Sequence, residues 1–91
     1  MAATNHTSLR DGRPVRVMTW PDAVALLESG EAVNLKCWKL KNAEILEYRG
    51  VRCVGSHWRG GSHRLKFPES HLIREVRDIT IFEINGYEII R

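Results

Sequence analysis

The sequence predicts an α+β fold in which one N-terminal helix packs on a curled antiparallel sheet or a small open β-barrel of five to six strands. The dipeptide Asn85-Gly86 lies between two runs of β-branched and aromatic residues, which is typical of a two-residue type I′ hairpin. A capped amphipathic segment follows Thr19, and short alternating apolar segments lie between these two features. Because such a short helix is marginal alone in water, we expect it to cover the sheet.

The helix has recognisable start and stop signals. Thr19 can cap it, Pro21 is tolerated in its first turn, and Asp22 stands three residues after the cap. Gly30 is placed to end a helix of about eleven residues. The apolar residues that recur at helical spacing are Trp20, Ala23, Val24 and Leu27.

One strand and a hairpin are predicted in the middle of the chain. Val33, Leu35 and Cys37 alternate with polar residues, which indicates a strand with one buried face. The segment that follows Asn42 reads as a hairpin turning at Arg49-Gly50, with Leu46 opposite Cys53. This arrangement turns apolar pairs inward and charged pairs outward, as in a half-exposed antiparallel sheet.

The C-terminal hairpin fixes a register. Ile84 faces Tyr87 and Glu83 faces Glu88, and because like charges opposite one another destabilise a sheet, we expect a neighbouring Arg or Lys beside them. Both faces of this ribbon carry large apolar residues, so we predict a central strand pair. A slip in the apolar pattern predicts a bulge at Arg77-Asp78.

Helix and sheet are expected to share one core. Its predicted members are Trp20, Val24 and Leu27 on the helix, against Leu35, Leu46, Cys53 and some of Ile79, Ile81, Phe82 and Ile89.

Length and composition limit the class of protein. The chain has 91 residues, 43% of them hydrophobic, which suits one α+β domain over residues 15–91 after a mobile leader over residues 1–14. A short edge strand is predicted at Val15-Arg16-Val17. No apolar run is long enough to cross a membrane and the N-terminus lacks signal-peptide features, so we expect a cytoplasmic protein.

The net charge of +3 is unevenly distributed. Residues 49–77 contain seven Arg and Lys residues against two Glu residues, a local charge of +5, whereas the rest of the chain sums to −2. Such a regional excess is informative about partners and not about fold.

We expect no metal, no cofactor and no catalysis. The set Cys37, Cys53, His57 and His63 lacks the closely spaced ligand pairs of structural zinc sites. Ser56 and Ser62 lie near histidines, but neither belongs to a nucleophile motif. The two cysteines stand within apolar strand patterns and are read as small buried residues.

The segment 57–66 is the candidate functional site. Aromatic and cationic side chains interleaved with glycine are what a β surface uses to stack bases and contact phosphates. The competing interpretation is a solvated basic loop with Trp58 folded over the core. The candidate nucleic-acid-binding residues are Trp58, Arg59, His63, Arg64 and Lys66.

Several short motifs carry a resemblance. They are His57-Trp58, Ser62-His63-Arg64-Leu65, Phe67-Pro68, the run Leu72 to Val76 and the Asn85-Gly86 hairpin. Over most of residues 19–90 the chain resembles a group of small uncharacterised proteins of Bacteroidetes genomes, often found in phage-like regions. It departs from them at Arg49-Gly50, where those proteins often carry a longer basic loop. The resemblance implies a prophage or mobile-element setting and no site residue.

Two functional hypotheses follow from the sequence. The first is a non-enzymatic accessory or protein-interaction module of prophage or mobile-element origin, whose Ile- and Phe-rich C-terminal edges accept or donate a strand to another protein. The alternative is a small nucleic-acid-binding β module that uses the basic and aromatic loop 57–66. The oligomeric state is left open.

Overall fold

A computed structural model describes residues 5–10, 13–57 and 59–91 of the chain. Its elements, in chain order, are β1 (Asn5–Arg10), β2 (Arg13–Thr19), α1 (Trp20–Glu28), β3 (Val33–Lys39), β4 (Glu44–His57), β5 (Ser62–Lys66), β6 (Ile73–Arg77), a 3₁₀ turn (Asp78–Thr80), β7 (Ile81–Ile84) and β8 (Tyr87–Ile90).

The strands form one open sheet in the order β1-β2-β8-β7-β3-β4-β5-β6, and the α+β class is confirmed. Neighbouring strands are antiparallel except β2 and β8, which run parallel. The predicted count of five to six strands is too low, because two strands that precede the helix also join the sheet. Val15-Arg16-Val17 lies in β2, between β1 and β8 and not at an edge.

The segment predicted as a mobile leader contributes to this sheet. Residues 5–10 form β1, which pairs with β2 from Asn5 opposite Met18 to Arg10 opposite Arg13. Residues 1–4 and 11–12 lie outside the described residues.

The predicted hairpin at Arg49-Gly50 is wrong, because β4 runs through it as one strand of 14 residues. Residues 44–51 of β4 pair with β3, and residues 52–57 pair with β5. The register shifts where Asn34 faces Arg49 and Gly50, and Gly50 has a φ of +67°. A glycine in the left-handed region serves a β-bulge as well as a turn. The amide of Gly50 donates a hydrogen bond to the side-chain oxygen of Asn34 at 2.9 Å.

The C-terminal hairpin is confirmed. Asn85 and Gly86 have φ angles of 52° and 84°, and the register places Ile84 opposite Tyr87 and Glu83 opposite Glu88. The expected basic neighbour is Lys36, whose ammonium lies 3.4 Å from the Glu83 carboxylate. The ribbon lies between β2 and β3, as predicted for a central pair. Its Ile and Phe residues are therefore not at a sheet edge, which removes the basis for strand exchange through them.

The helix begins and packs as its sequence indicates. The Asp22 amide donates to the Thr19 hydroxyl at 3.4 Å, and the helix spans nine residues instead of about eleven. Its buried residues are Ala23 and Leu27, and it contacts β2, β4 and β8. The shared core of helix and sheet is therefore present.

Most of the predicted core residues are in the core, with two exceptions. Val24 is only half-buried and lies outside the core cluster. Leu27, Leu35 and Ile81 are fully buried, and Trp20, Leu46, Cys53 and Ile89 pack against them. Ile79 is 74% exposed, because the 3₁₀ turn Asp78–Thr80 stands where a bulge was predicted and buries Thr80 instead.

Candidate nucleic-acid interface

The predicted site residues do not all come together. Trp58 lies outside the described residues, and Arg59 is an exposed residue of the turn from β4 to β5 that already makes an interaction. Arg64 and Lys66 are exposed on β5. His63 is only 3% exposed, so little of its surface is available for the contact with nucleic acid that the sequence predicts.

Arg64 and Lys66 share a sheet face with two cations that the sequence did not single out. They flank the buried Leu65, so they project away from the core. The register places Lys66 opposite Arg52 on β4 and Ser62 opposite Arg77 on β6. Arg52 follows the buried Val51 and Arg77 follows the buried Val76. Both arginines are exposed and therefore project to the same side of the sheet as Arg64 and Lys66. We call Arg52, Arg64, Lys66 and Arg77 the basic face.

One carboxylate also lies on this face. Glu75 is opposite Arg64, and its Oε2 atom accepts a hydrogen bond of 2.6 Å from the Ser62 hydroxyl. The face thus carries four cations against one anion among the described residues. Four neighbouring cations repel one another.

The pairing of β4 with β5 ends at Arg52 and Lys66, and a cavity of about 290 Å³ opens at this point. Beyond it, β4 turns to pair with β3 while β5 continues into the connection to β6. In the described part of the chain the ionisable side chains that line the cavity are all basic: Arg52, Lys66 and His71. Gly50, Phe67 and Pro68 complete its walls. We call this cavity the fork cavity.

The buried His63 belongs to a structural cluster on the inner side of the sheet. Its Nδ1 atom lies 2.6 Å from the Oδ1 atom of Asp78, which ties β5 to the 3₁₀ turn. Its Nε2 atom lies 3.8 Å from a Glu28 carboxylate oxygen and makes no hydrogen bond within the described residues. The Trp20 ring packs edge-on at 6.4 Å. With less than a twentieth of its surface exposed, His63 cannot reach a large ligand.

A second exposed feature is apolar. Trp38 and Ile45 are cross-strand partners that are 42% and 53% exposed, and Leu40 in the following turn is 65% exposed. The Phe82 ring lies 4.9 Å from the Trp38 ring. Trp38 and Leu40 also line a cavity of about 270 Å³. We call Trp38, Leu40, Ile45 and Phe82 the apolar patch.

The acidic, histidine and cysteine side chains in the part of the chain that the structure describes form no metal-binding group. No group of three or more His, Cys, Asp and Glu side chains there could hold a metal ion. Cys37 is buried, and burial raises the pKa of its thiol, which keeps it protonated and unreactive. Burial, followed by the nearby Cys37, also raises the pKa of Tyr48, while Arg74 opposes this shift.

Comparison of the chain with models of known protein families, with curated proteins and with solved structures found no match. Among the described residues, no helix is both long and apolar enough to cross a membrane.

Proposed function

We propose that this chain is a small non-enzymatic module that binds nucleic acid through the basic face. The observation that carries the proposal is the cross-strand pair of Arg52 and Lys66, extended by Arg64 and Arg77 over three adjacent strands. Like charges directly opposite each other cost stability in a sheet. A phosphate backbone that neutralises them recovers this cost and releases counterions from the nucleic acid.

The shape of the sheet favours contact between its surface and single-stranded nucleic acid. In this proposal the five strands β7-β3-β4-β5-β6 form a curled, barrel-like unit. Two observations support it: one half of β4 pairs with β3 and the other half with β5, and the 3₁₀ turn that follows β6 contacts β3. The basic face lies on its outer side, opposite the buried Val51, Leu65 and Val76. Arg and Lys side chains on such a face contact backbone phosphates and carry little base specificity.

The test is fluorescence anisotropy with a labelled oligodeoxythymidylate of about 12 nucleotides, a length within the range that small β modules cover. The double variant Arg64→Gln/Arg77→Gln removes two cations from the face. We expect it to weaken binding by at least about tenfold at low salt, because each lost phosphate contact costs binding free energy.

The matched control is Lys39→Gln/Lys41→Gln, which removes the same charge from the exposed end of β3 and the turn after it. Measured in about 0.1 M salt, it should lose less affinity than Arg64→Gln/Arg77→Gln, because neither lysine belongs to the basic face. Absence of binding by the wild type at millimolar protein, or equal losses in both double variants, would contradict the proposal.

The apolar patch favours a second candidate function, a protein-interaction module whose first partner is a second copy of the chain. Exposed clusters of large apolar side chains mark interaction sites. Lys39 and Glu44 are cross-strand partners beside the patch, and Glu75 lines the same cavity as Trp38 and Leu40, so a two-fold interface can match opposite charges.

Analytical ultracentrifugation tests this second candidate. The wild type should show concentration-dependent dimerisation that Ile45→Lys abolishes, while Ile73→Lys, at an exposed site on β6, leaves it intact. A monomer at every concentration up to about 1 mM, the range of the weakest specific complexes, would exclude self-association through the patch.

The setting implied by the sequence resemblance remains part of the proposal. A prophage or mobile-element protein that works in the cytoplasm meets nucleic acid there. The basic face is the proposed contact surface for nucleic acid, and the apolar patch is the proposed contact surface for a protein.

A further inference from the structure

We infer that the fork cavity is a site for a terminal phosphate group of a nucleic-acid strand. The inference rests on the proposed nucleic-acid binding and adds a defined anchor to it. Where the β4–β5 ladder opens, Arg52, Lys66 and His71 line one cavity of about 290 Å³. This volume accommodates a single phosphate group together with its adjoining sugar.

The charges of the cavity match a phosphate monoester better than a diester. Such a group carries about −1.5 to −2 charges near neutral pH, against one for a diester in the chain. Arg52 and Lys66 supply two permanent positive charges as cross-strand neighbours. Within the described residues, Lys66 forms no ion pair with a carboxylate. A dianion therefore meets two cations whose mutual repulsion it removes.

The site is partly fixed before a ligand arrives. One guanidinium nitrogen of Arg52 donates to the Gly30 carbonyl at 3.0 Å, which holds this side chain in place. The connection of four residues between Phe67 and Leu72 is closed by a hydrogen bond of 2.9 Å from the Phe67 amide to the Leu72 carbonyl. His71 ends this connection with a φ of 58°, and its amide donates to the Phe67 carbonyl at 3.1 Å. Fixed donors lose less entropy on binding.

The position of the cavity favours a strand end over an internal nucleotide. The basic face runs along β5 from Arg64 to Lys66, and these two residues are separated by about 6.6 Å of strand rise. At Lys66 the pairing of β4 with β5 stops, and Phe67 and Pro68 line the cavity beyond it. A nucleic-acid strand that lies along the basic face meets the side chains of Phe67 and Pro68 at this point, so its last phosphate group occupies the cavity.

Three oligonucleotides test the inference by anisotropy. They are oligodeoxythymidylates of about 12 nucleotides with a 5′-phosphate, a 3′-phosphate or no terminal phosphate, each labelled away from the tested end. We expect one phosphorylated form to bind about tenfold more tightly than the unphosphorylated one, the size of one charge-assisted contact. The arm that gains affinity identifies which end of the strand enters.

Lys66→Gln should abolish this preference, because it removes one of the two cations. His71→Asn should reduce it, because it removes the imidazole from the cavity, while asparagine tolerates the positive φ at residue 71 and so preserves the fold of the connection. Lys39→Gln is the matched control and should retain the full preference. Circular dichroism melts confirm that each variant is folded. A phosphoserine peptide that competes as well as the phosphorylated oligonucleotide would assign the cavity to phosphoproteins and overturn the inference.

The outcomes separate this inference from the function on which it rests. Equal affinity of all three oligonucleotides, with binding still weakened by Arg64→Gln/Arg77→Gln, overturns the terminal-phosphate site and leaves the nucleic-acid interface standing. If none of the three oligonucleotides binds, both the terminal-phosphate site and the nucleic-acid interface are overturned.

Discussion

Ala43 holds a backbone conformation that its side chain disfavours. It has a φ of 58° at the end of the β3–β4 turn, where its amide donates to the Lys39 carbonyl at 2.8 Å. Left-handed backbone costs a residue other than glycine about 1–2 kcal/mol, more than the about 0.4–1 kcal/mol of unfolded-state entropy that glycine adds. We therefore expect Ala43→Gly to raise the free energy of unfolding by about 0.5 kcal/mol or more.

Urea denaturation measures this change, with Ala25→Gly as the control. Ala25 is an exposed residue inside α1, where glycine costs about 1 kcal/mol. The two substitutions should thus shift the midpoint in opposite directions. A loss of stability in Ala43→Gly would show that the turn does not hold a left-handed residue at this position.

Cys37 makes the stability of the fold sensitive to alkaline pH. Burial raises the pKa of its thiol in the folded state above that in the unfolded chain. This stabilising contribution is complete below the unfolded pKa of about 8.5 and is lost as the pH rises through the higher folded pKa. We expect the free energy of unfolding to fall above about pH 8.5. In Cys37→Ala the decline should begin later, near the titration of Tyr48, whose pKa is also raised.

Denaturant melts at a series of pH values test this prediction. Cys53→Ala is the control, because Cys53 is only partly buried and lies outside the fully buried core. Parallel pH profiles for the wild type and Cys37→Ala would contradict a buried, protonated thiol.

At the scale of single elements, Leu27 is the largest fully buried side chain of α1. Leu27 is fully buried where the helix meets the sheet, and the helix is too short to be stable without that contact. Leu27→Ala should cost about 2–5 kcal/mol of unfolding free energy. Leu40→Ala, at a site that is 65% exposed, should cost less than about 0.5 kcal/mol. An unchanged denaturant midpoint in Leu27→Ala would mean that the helix does not pack on this sheet.

Elements whose form depends on local chemistry could be predicted from the sequence. Thr19 caps its helix and Asn85-Gly86 turns its hairpin through interactions within a few residues. Gly50 shows the limit of such reasoning, since a positive φ suits a tight turn and a bulge equally. The bulge is distinguished from a turn only by the hydrogen bond that the Gly50 amide on β4 donates to the Asn34 side chain on β3.

At the scale of the whole molecule, what could not be predicted depends on contacts between distant parts of the chain. The partner of β2 is β8, at the other end of the sequence, so neither the parallel pair nor the internal position of β2 has a local signal. The same holds for the site. Arg64 and Lys66 were found from composition, but Arg52 and Arg77 join them only through the register of β4, β5 and β6. The burial of His63 follows from its contact with Asp78, which no local pattern reveals.

The salt dependence of oligonucleotide binding tests the basic face most directly. Between about 50 and 200 mM salt, the logarithm of the association constant should fall linearly with the logarithm of the salt concentration, with a slope of about −0.7 per phosphate contact on a single strand. Arg64→Gln/Arg77→Gln should reduce the magnitude of that slope by about 1.4, while Lys39→Gln/Lys41→Gln leaves it unchanged. A slope near zero in the wild type, or the same slope in all three proteins, would contradict binding through the basic face.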